Sequence, residues 1–222
     1  MAEETSIPHM QRKSKINKTG LRVPAFNILL VCFCSFLLML ATFVQLKITH
    51  FILPLDIFSN KNLHPKDFLY TYTIIPQVPA VMFVIGLLGR KLSMTSIIIY
   101  ILTGLFIIPV FALGGGISYF KEFGFGYILA YLPAAFLAGT ILKENFKFTG
   151  IIKASLIGVI TIHLIGLIYM LIISQFRHEG FEFIYGWIMS QSLLKISYDL
   201  VISAIALLLA KYASKYVRYI LN

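Results

Sequence analysis

Six apolar segments separated by more polar stretches constrain this chain more than any other feature. They cover roughly residues 26–46, 74–88, 92–113, 124–142, 151–174 and 187–210. A helix needs about 20 apolar residues to cross a bilayer, and it satisfies its own backbone hydrogen bonds there. Apolar residues make up 59% of the 222 residues, and charged residues only 13%. The sequence therefore predicts an all-α integral membrane protein with six transmembrane helices, and it excludes a soluble domain.

The second segment is short and contains Pro76 and Pro79, so we expect a broken or re-entrant helix there. The first segment is longer than the apolar core of a signal peptide, and no small-x-small cleavage site follows it. The pattern predicts three parts: a basic cytoplasmic tail over 1–25, a six-span membrane domain over 26–213, and a cytoplasmic tail over 214–222.

The lysines and arginines are distributed unequally between the two predicted sides of the membrane. Thirteen lie on the side that holds both termini, and five lie on the other. Basic residues favour the cytoplasmic side, so both termini are predicted to be cytoplasmic. This bias accounts for most of the net charge of +10, and no nucleic-acid partner is expected.

Asp199 is the only acidic residue inside a predicted span. An ionisable side chain at that depth is costly and is usually functional. Lys195 lies one helical turn earlier, where the two can share a face. Two interpretations remain open: the pair neutralises itself, or Asp199 accepts hydrogen bonds from a ligand while Lys195 binds a carboxylate.

Other residues carry weaker signals. Gly114–Gly116 form either a tight turn or a close backbone approach. His163 is the only histidine in a predicted span, where a hydrogen-bonded packing role is commoner than a ligand role. Cys32 and Cys34, at i and i+2 on a helix, point apart and are interpreted as packing residues. The sequence contains no nucleotide-binding loop and no metal motif, so we expect no ATP hydrolysis, no cofactor and no bound metal.

One stretch resembles a known family. Leu105–Gly116 is an apolar run with Pro109 that ends in three glycines. It is followed by Gly126-Tyr127 and then by Pro133-Ala134-Ala135-Phe136 and Gly139. This order is similar to that of the BioY family, the biotin-binding S-components of energy-coupling-factor (ECF) transporters. Ser197-Tyr198-Asp199-Leu200 resembles the family's C-terminal motif, and Val78-Pro79 matches part of another.

The resemblance implies a substrate-binding site that contains Asp199, Lys195, Tyr127, Gly126, Gly115, Gly116 and Gln77. The family's lysine three residues after the aspartate is Ile202 here, and its threonine and glutamine after Val78-Pro79 are Val81 and Phe83. Lys195 and Gln77 are candidates to replace these groups. Tyr127 also suits the outer aromatic belt of a membrane protein.

The expected function is therefore vitamin transport by a non-enzymatic protein of a prokaryotic plasma membrane. By the resemblance, the solute is biotin, and the partners are an ECF coupling subunit and ATPase subunits. One alternative is an S-component for another vitamin. An intramembrane lipid-modifying enzyme or a structural membrane protein would be a different class.

Overall fold

The computed structural model describes residues 25–51, 65 and 69–221. Its elements, in chain order, are α1 (Ala25–Phe43), β1 (Leu46–Phe51), β2 (Leu69–Ile74), α2 (Gln77–Phe106), a 3₁₀ turn (Ile117–Lys121), α3 (Phe125–Leu129), α4 (Tyr131–Glu144), α5 (Phe148–Arg177), α6 (Phe181–Trp187), a π-helical turn (Ile188–Leu193) and α7 (Leu194–Leu221). Five helical stretches are long and apolar enough to cross a membrane: Ala25–Phe43, Gln77–Phe106, Phe125–Glu144, Phe148–Arg177 and Phe181–Val217.

The expectation of an all-α fold is wrong between the first two helices. There β1 and β2 pair as an antiparallel hairpin, with Leu46 opposite Ile74. The hydroxyls of Thr49 and Thr71 hydrogen-bond across it at 2.9 Å. Both strands are rich in β-branched residues, which favour a pleated surface. The strands lie almost entirely between the first two predicted segments, where the apolar pattern predicts no regular element.

α2 reverses direction at Gly89. In a straight helix, Gln77 and Tyr100 would lie about 35 Å apart, yet the Gln77 amide donates a hydrogen bond to the Tyr100 hydroxyl. The reversal is possible because Gly89 adopts φ 72° and ψ 176°, a conformation open essentially to glycine alone. The pieces 77–88 and 90–106 therefore lie antiparallel. The first is about 18 Å long, which agrees with the predicted short second segment.

α1 has one lipid-type face and one packed face. Leu29, Phe33, Phe36 and Leu40 recur at helical spacing, and each is more than half exposed. The opposite face is buried, and there the Ser35 hydroxyl donates to the Ser96 carbonyl at 2.9 Å. Large apolar side chains are stable on an outer surface when lipid covers it, so this pattern agrees with a membrane location.

Glycines allow α3 and α5 to approach each other closely. A Cβ atom on Gly126 would lie 2.2 Å from Tyr169 Cβ, and one on Gly166 would lie 2.5 Å from the Tyr127 ring. Each helix thus seats a tyrosine of the other on its own glycine. Small residues permit such contacts between membrane helices, and here they fix the ring of Tyr127.

The predicted segment boundaries shift at two places. The third segment was expected to continue to residue 113, but α2 ends at Phe106. Pro109 and the glycines follow, and Phe111 and Gly114 form a tight turn by exchanging backbone hydrogen bonds. At the C-terminus, α7 continues through the predicted tail as far as Leu221. The predicted N-terminal tail lies outside the described residues except for Ala25.

Candidate functional site: a polar cavity between α2, α3, α5 and α7

A cavity of about 350 Å³ lies where the start of α2, the glycine-rich loop, α3, α5 and the helix from α6 to α7 meet. Its lining residues are Ile75, Gln77, Val78, Ala112, Leu113, Tyr119, Gly124, Tyr127, Ile128, Tyr131, His163, Trp187, Gln191 and Lys195. Volume and composition are typical of small-molecule sites, which are mostly apolar with a few placed polar groups.

A chain of hydrogen bonds runs from the cavity wall into the protein. The hydroxyls of Tyr127 and Ser192 are 2.8 Å apart, and Ser192 Oγ is 3.2 Å from His163 Nδ1. His163 Nε2 is 3.1 Å from Asp199 Oδ2. Tyr127 and His163 line the cavity, whereas Ser192 and Asp199 lie behind it. The buried carboxylate is therefore connected to the cavity through other side chains.

The partner of Asp199 differs from the one that the sequence suggests. Within the described part of the chain, Lys195 and Asp199 form no ion pair, and Asp199 pairs with His163 instead. The Asp199 side chain is completely buried, and its Oδ1 atom has no hydrogen-bond partner among the described residues. Lys195 is partly exposed and lines the cavity. The interpretation of a self-neutralising helical pair is thus wrong, because α5 supplies the closer partner.

The π-helical turn Ile188–Leu193 adjoins the cavity. One extra residue per turn changes which side chains face inward, and such turns are frequent at functional sites. Gln191 lines the cavity from this turn, and Ser192 contacts His163. The indole N–H of Trp187, just before the turn, is buried without a partner that meets hydrogen-bond geometry among the described residues.

Gln77 lines the opposite wall. Its amide nitrogen donates to the Thr42 hydroxyl at 3.2 Å and to the Tyr100 hydroxyl. Thr42 lies in α1 and Tyr100 in the second piece of α2, so two elements hold this side chain. Because the amide nitrogen is already used, the amide oxygen is the atom that remains available to a ligand.

None of the three glycines of the predicted site is among the residues that line the cavity. A Cβ atom on Gly115 would lie 2.5 Å from Pro109 Cα, so Gly115 serves a close backbone contact. Gly116 has φ 85° and precedes the 3₁₀ turn. Gly126 carries the ring of Tyr169. These residues shape the walls of the cavity, and no side chain of theirs can reach a ligand.

The loop over the cavity is tied to the end of α5. Arg177 Nη2 donates to the Lys121 carbonyl at 2.7 Å and lies 3.3 Å from Glu122 Oε1. Its guanidinium also stacks over the Phe123 ring at 4.5 Å. Within this loop, burial raises the pKa of the Tyr119 hydroxyl, so this cavity-lining phenol stays neutral at physiological pH.

Sequence reasoning underrated His163 and missed Ser192 and Trp187. The signal for His163 was present, because it is the only histidine in a predicted span. Its partner lies 36 residues away on another helix, and no spacing rule connects the two. In the described part of the chain, no group of three or more His, Cys, Asp or Glu side chains is placed to hold a metal ion.

Comparisons with known proteins give a consistent result. Three curated relatives share parts of the sequence. One is named "Putative biotin transporter BioYB" and comes from Bacillus subtilis (strain 168), with 43% identity over 75 residues. Two are named "Probable biotin transporter BioY", from Lysinibacillus sphaericus (35% over 86 residues) and Pyrococcus horikoshii (39% over 100 residues). The matched segments cover 32%, 38% and 43% of this chain. They span 38%, 44% and 59% of the relatives' own lengths.

The fold also matches a solved structure, described as the S-component for biotin from an ECF-type ABC transporter. The TM-score is 0.62 at 23% identity, and the match covers 86% of this chain and 92% of that one. At this identity the likeness concerns the fold. The sequence profile of the BioY family matches residues 17–219, which is nearly the whole chain. The chain belongs to the BioY family.

Proposed function

We propose that this protein binds biotin in the 350 Å³ cavity and that it is the substrate-binding S-component of a transporter energised by a separate ECF ATPase module. The observation that carries the proposal is the cavity wall itself. It combines one cation, Lys195, with the hydrogen-bonding side chains of Gln77, Tyr127 and His163 on an otherwise largely apolar surface. Family membership and the names of the relatives support the same substrate.

The chemistry of biotin complements this wall. Its ureido ring carries two N–H donors and one carbonyl acceptor, and its valerate tail ends in a carboxylate. Lys195 is assigned to the carboxylate, because a charge-assisted hydrogen bond is among the stronger polar contacts. Tyr127 and the amide oxygen of Gln77 are assigned to the ureido group. Both ring nitrogens of His163 already face Ser192 and Asp199, so His163 and Asp199 act on the substrate through Ser192 and Tyr127.

The glycines of the predicted site receive an indirect role. Gly126 allows α3 to approach α5, and this contact holds Tyr127 in the wall. Gly115 and Gly116 shape the loop whose earlier residues, Ala112 and Leu113, line the cavity. An S-component for another vitamin would keep this architecture and differ in the groups that meet the ligand's polar atoms.

A hydrolase is the candidate from a different class, and one observation favours it. Ser192, His163 and Asp199 form a Ser-His-Asp arrangement. Ser192 is 2% exposed, does not line the cavity, and shares its hydroxyl with Tyr127. A nucleophile has to reach the substrate, so the arrangement favours a structural relay. The BioY family consists of transporter S-components and not of enzymes, which agrees with the expected non-enzymatic role.

The membrane arrangement belongs to the same proposal. The two antiparallel pieces of α2, together with the other four span-length helices, make six crossings in the plasma membrane of a prokaryote. A second cavity, of about 570 Å³, lies at the Gly89 end of the bundle and is lined by Arg90, Lys91 and Lys143. Basic residues favour the cytoplasm, so this end is assigned to the inside with both termini. The biotin cavity then opens toward the outside.

Binding of radiolabelled biotin to the purified protein, without ATP, tests the function. Lys195→Met should weaken biotin binding by about 10- to 100-fold, since a hydrogen bond between charged groups contributes about 1.5–3 kcal/mol. It should affect biotin amide much less, because the amide lacks the carboxylate. Lys153→Met removes an exposed lysine of α5 as a matched control. Absence of biotin binding, stronger binding of another vitamin, or recovery of chemically altered biotin would contradict the proposal.

A further inference from the structure

The hydrogen bonds that link Asp199, His163, Ser192 and Tyr127 all point the same way, and one proton on the His163–Asp199 pair sets that direction. An ionised carboxylate only accepts hydrogen bonds, so His163 Nε2 donates to Asp199 Oδ2. In a neutral imidazole the other nitrogen, Nδ1, is then an acceptor. Ser192 must donate its single proton to Nδ1, and its oxygen accepts the proton of Tyr127. Tyr127 is left with lone pairs alone for the cavity.

Adding one proton to the pair reverses every link. An imidazolium donates from both nitrogens, so Nδ1–H donates to Ser192, and Ser192 donates to the Tyr127 oxygen. The Tyr127 hydroxyl proton is then free to point into the cavity. Side chains joined in this way act as one unit, since the hydroxyls of Ser192 and Tyr127 each have only one proton to donate.

We propose that the proton held by the buried His163–Asp199 pair determines the specificity of the cavity, by setting whether Tyr127 offers the ligand an acceptor or a donor. The inference rests on the proposed biotin function. With the pair deprotonated, Tyr127 accepts a ureido N–H. With the pair protonated, Tyr127 donates to a ureido carbonyl.

The surroundings of the pair make it sensitive to charge. His163 and Asp199 are 2% and 0% exposed. Lys195, one turn before Asp199 on α7, lines the same cavity, as do the phenols Tyr119 and Tyr131. Lys195 is thus the charged side chain that shares the cavity with the pair, and a carboxylate bound to it adds a second charge there.

Two ligands that differ only in their donors test the inference. Biotin and a biotin methylated at both urea nitrogens carry the same carboxylate and carbonyl, and the second has no N–H group. The ratio of their affinities therefore cancels effects of pH on folding and on the Lys195 contact. Over the pH range in which the protein stays folded, the ratio in favour of biotin should rise with pH by about 2- to 10-fold, the contribution of one neutral hydrogen bond.

Ser192→Ala cuts the link between Tyr127 and the pair, so its ratio should not change with pH. Ser197→Ala is the matched control. It removes a hydroxyl that donates to the Leu194 carbonyl of its own helix, and it should behave as wild type. If Ser192→Ala does not fold, Tyr127→Phe removes the hydroxyl that meets the ligand, and its ratio should likewise not change with pH. A constant ratio in the wild type, or a pH-dependent ratio that survives in Ser192→Ala, overturns the inference. Absence of biotin binding to the wild type would instead refute the proposed function.

Discussion

At the scale of single residues, the polar groups of the cavity are held by second partners that fix which atom faces the ligand. Gln77 is anchored through its amide nitrogen by Thr42 and Tyr100. Tyr127 is held by Ser192, and its ring lies against Gly166. Groups that are positioned before binding lose little conformational freedom when the ligand arrives. We therefore expect these anchoring hydrogen bonds to affect ligand affinity as much as the direct contacts with the ligand do.

Gln77→Met tests the assignment of the amide oxygen. The substitution keeps the length and most of the volume of the side chain but removes its polar atoms. Biotin affinity should fall by about 2- to 10-fold, the contribution of one neutral hydrogen bond. Tyr100→Phe, which alters only the anchor of Gln77, should have a smaller effect because Thr42 remains. Calorimetric titration measures both. Wild-type affinity in folded Gln77→Met would remove this residue from the site.

At the scale of elements, the contact between α3 and α5 sets the cavity wall. Two glycines and two tyrosines interlock there, so the spacing of the helices and the place of the Tyr127 ring are one property. This interlock gives Gly126 its proposed role, which is to position Tyr127 without touching a ligand. In the pair Gly126-Tyr127, the glycine permits the close approach of α3 to α5, and the tyrosine ring packs against α5 at Gly166.

Gly166→Ala should disturb this contact. The new Cβ atom would lie 2.5 Å from the Tyr127 ring, and overpacking of this kind costs about 1–3 kcal/mol. We expect a lower melting temperature together with weaker biotin binding, because Tyr127 has to move. Gly186→Ala is the matched control, since nothing lies within 4 Å of its Cβ position. Unchanged binding in Gly166→Ala would show that the wall tolerates a displaced tyrosine.

The elements also show what sequence reasoning can supply. The apolar runs located the membrane helices, because run length and lipid thickness are directly related. The strands escaped detection because β-branched residues beside apolar runs are compatible with either structure. The pairing of His163 with Asp199 could not be predicted, because it depends on the rotation of α5 and α7 about their axes. The nearer candidate, Lys195, had only its spacing in its favour.

At the scale of the whole molecule, the two ends of the bundle differ in character. One end holds the small cavity with its single lysine, and the other holds the larger cavity lined by Arg90, Lys91 and Lys143. The asymmetry agrees with the distribution of basic residues along the sequence. The proposed solute site at one end and the basic face at the other suit the proposed uptake from outside with energy coupling inside.

Cysteine labelling tests this orientation. In a background without Cys32 and Cys34, single cysteines at Lys91 and Asn222 should react with an impermeant reagent only after the cells are opened. A cysteine at Lys121 should react in intact cells, because the loop over the cavity is assigned to the outside. The basic asymmetry is the physical reason for these expectations. Labelling of position 222 from outside would contradict this orientation, because the cavity would then lie on the cytoplasmic side.

The reversal at Gly89 has a consequence for biogenesis. The piece 77–88 is about 18 Å long, shorter than the roughly 30 Å hydrocarbon core, and the turn that joins it to 90–106 is the single residue Gly89. We therefore expect the two pieces to leave the insertion machinery together, as a pair. A reporter fused at residue 91 of a truncated chain should remain outside the cell, whereas the same position is assigned to the cytoplasm in the full-length protein. A cytoplasmic reporter in the truncated chain would show that the short piece inserts alone.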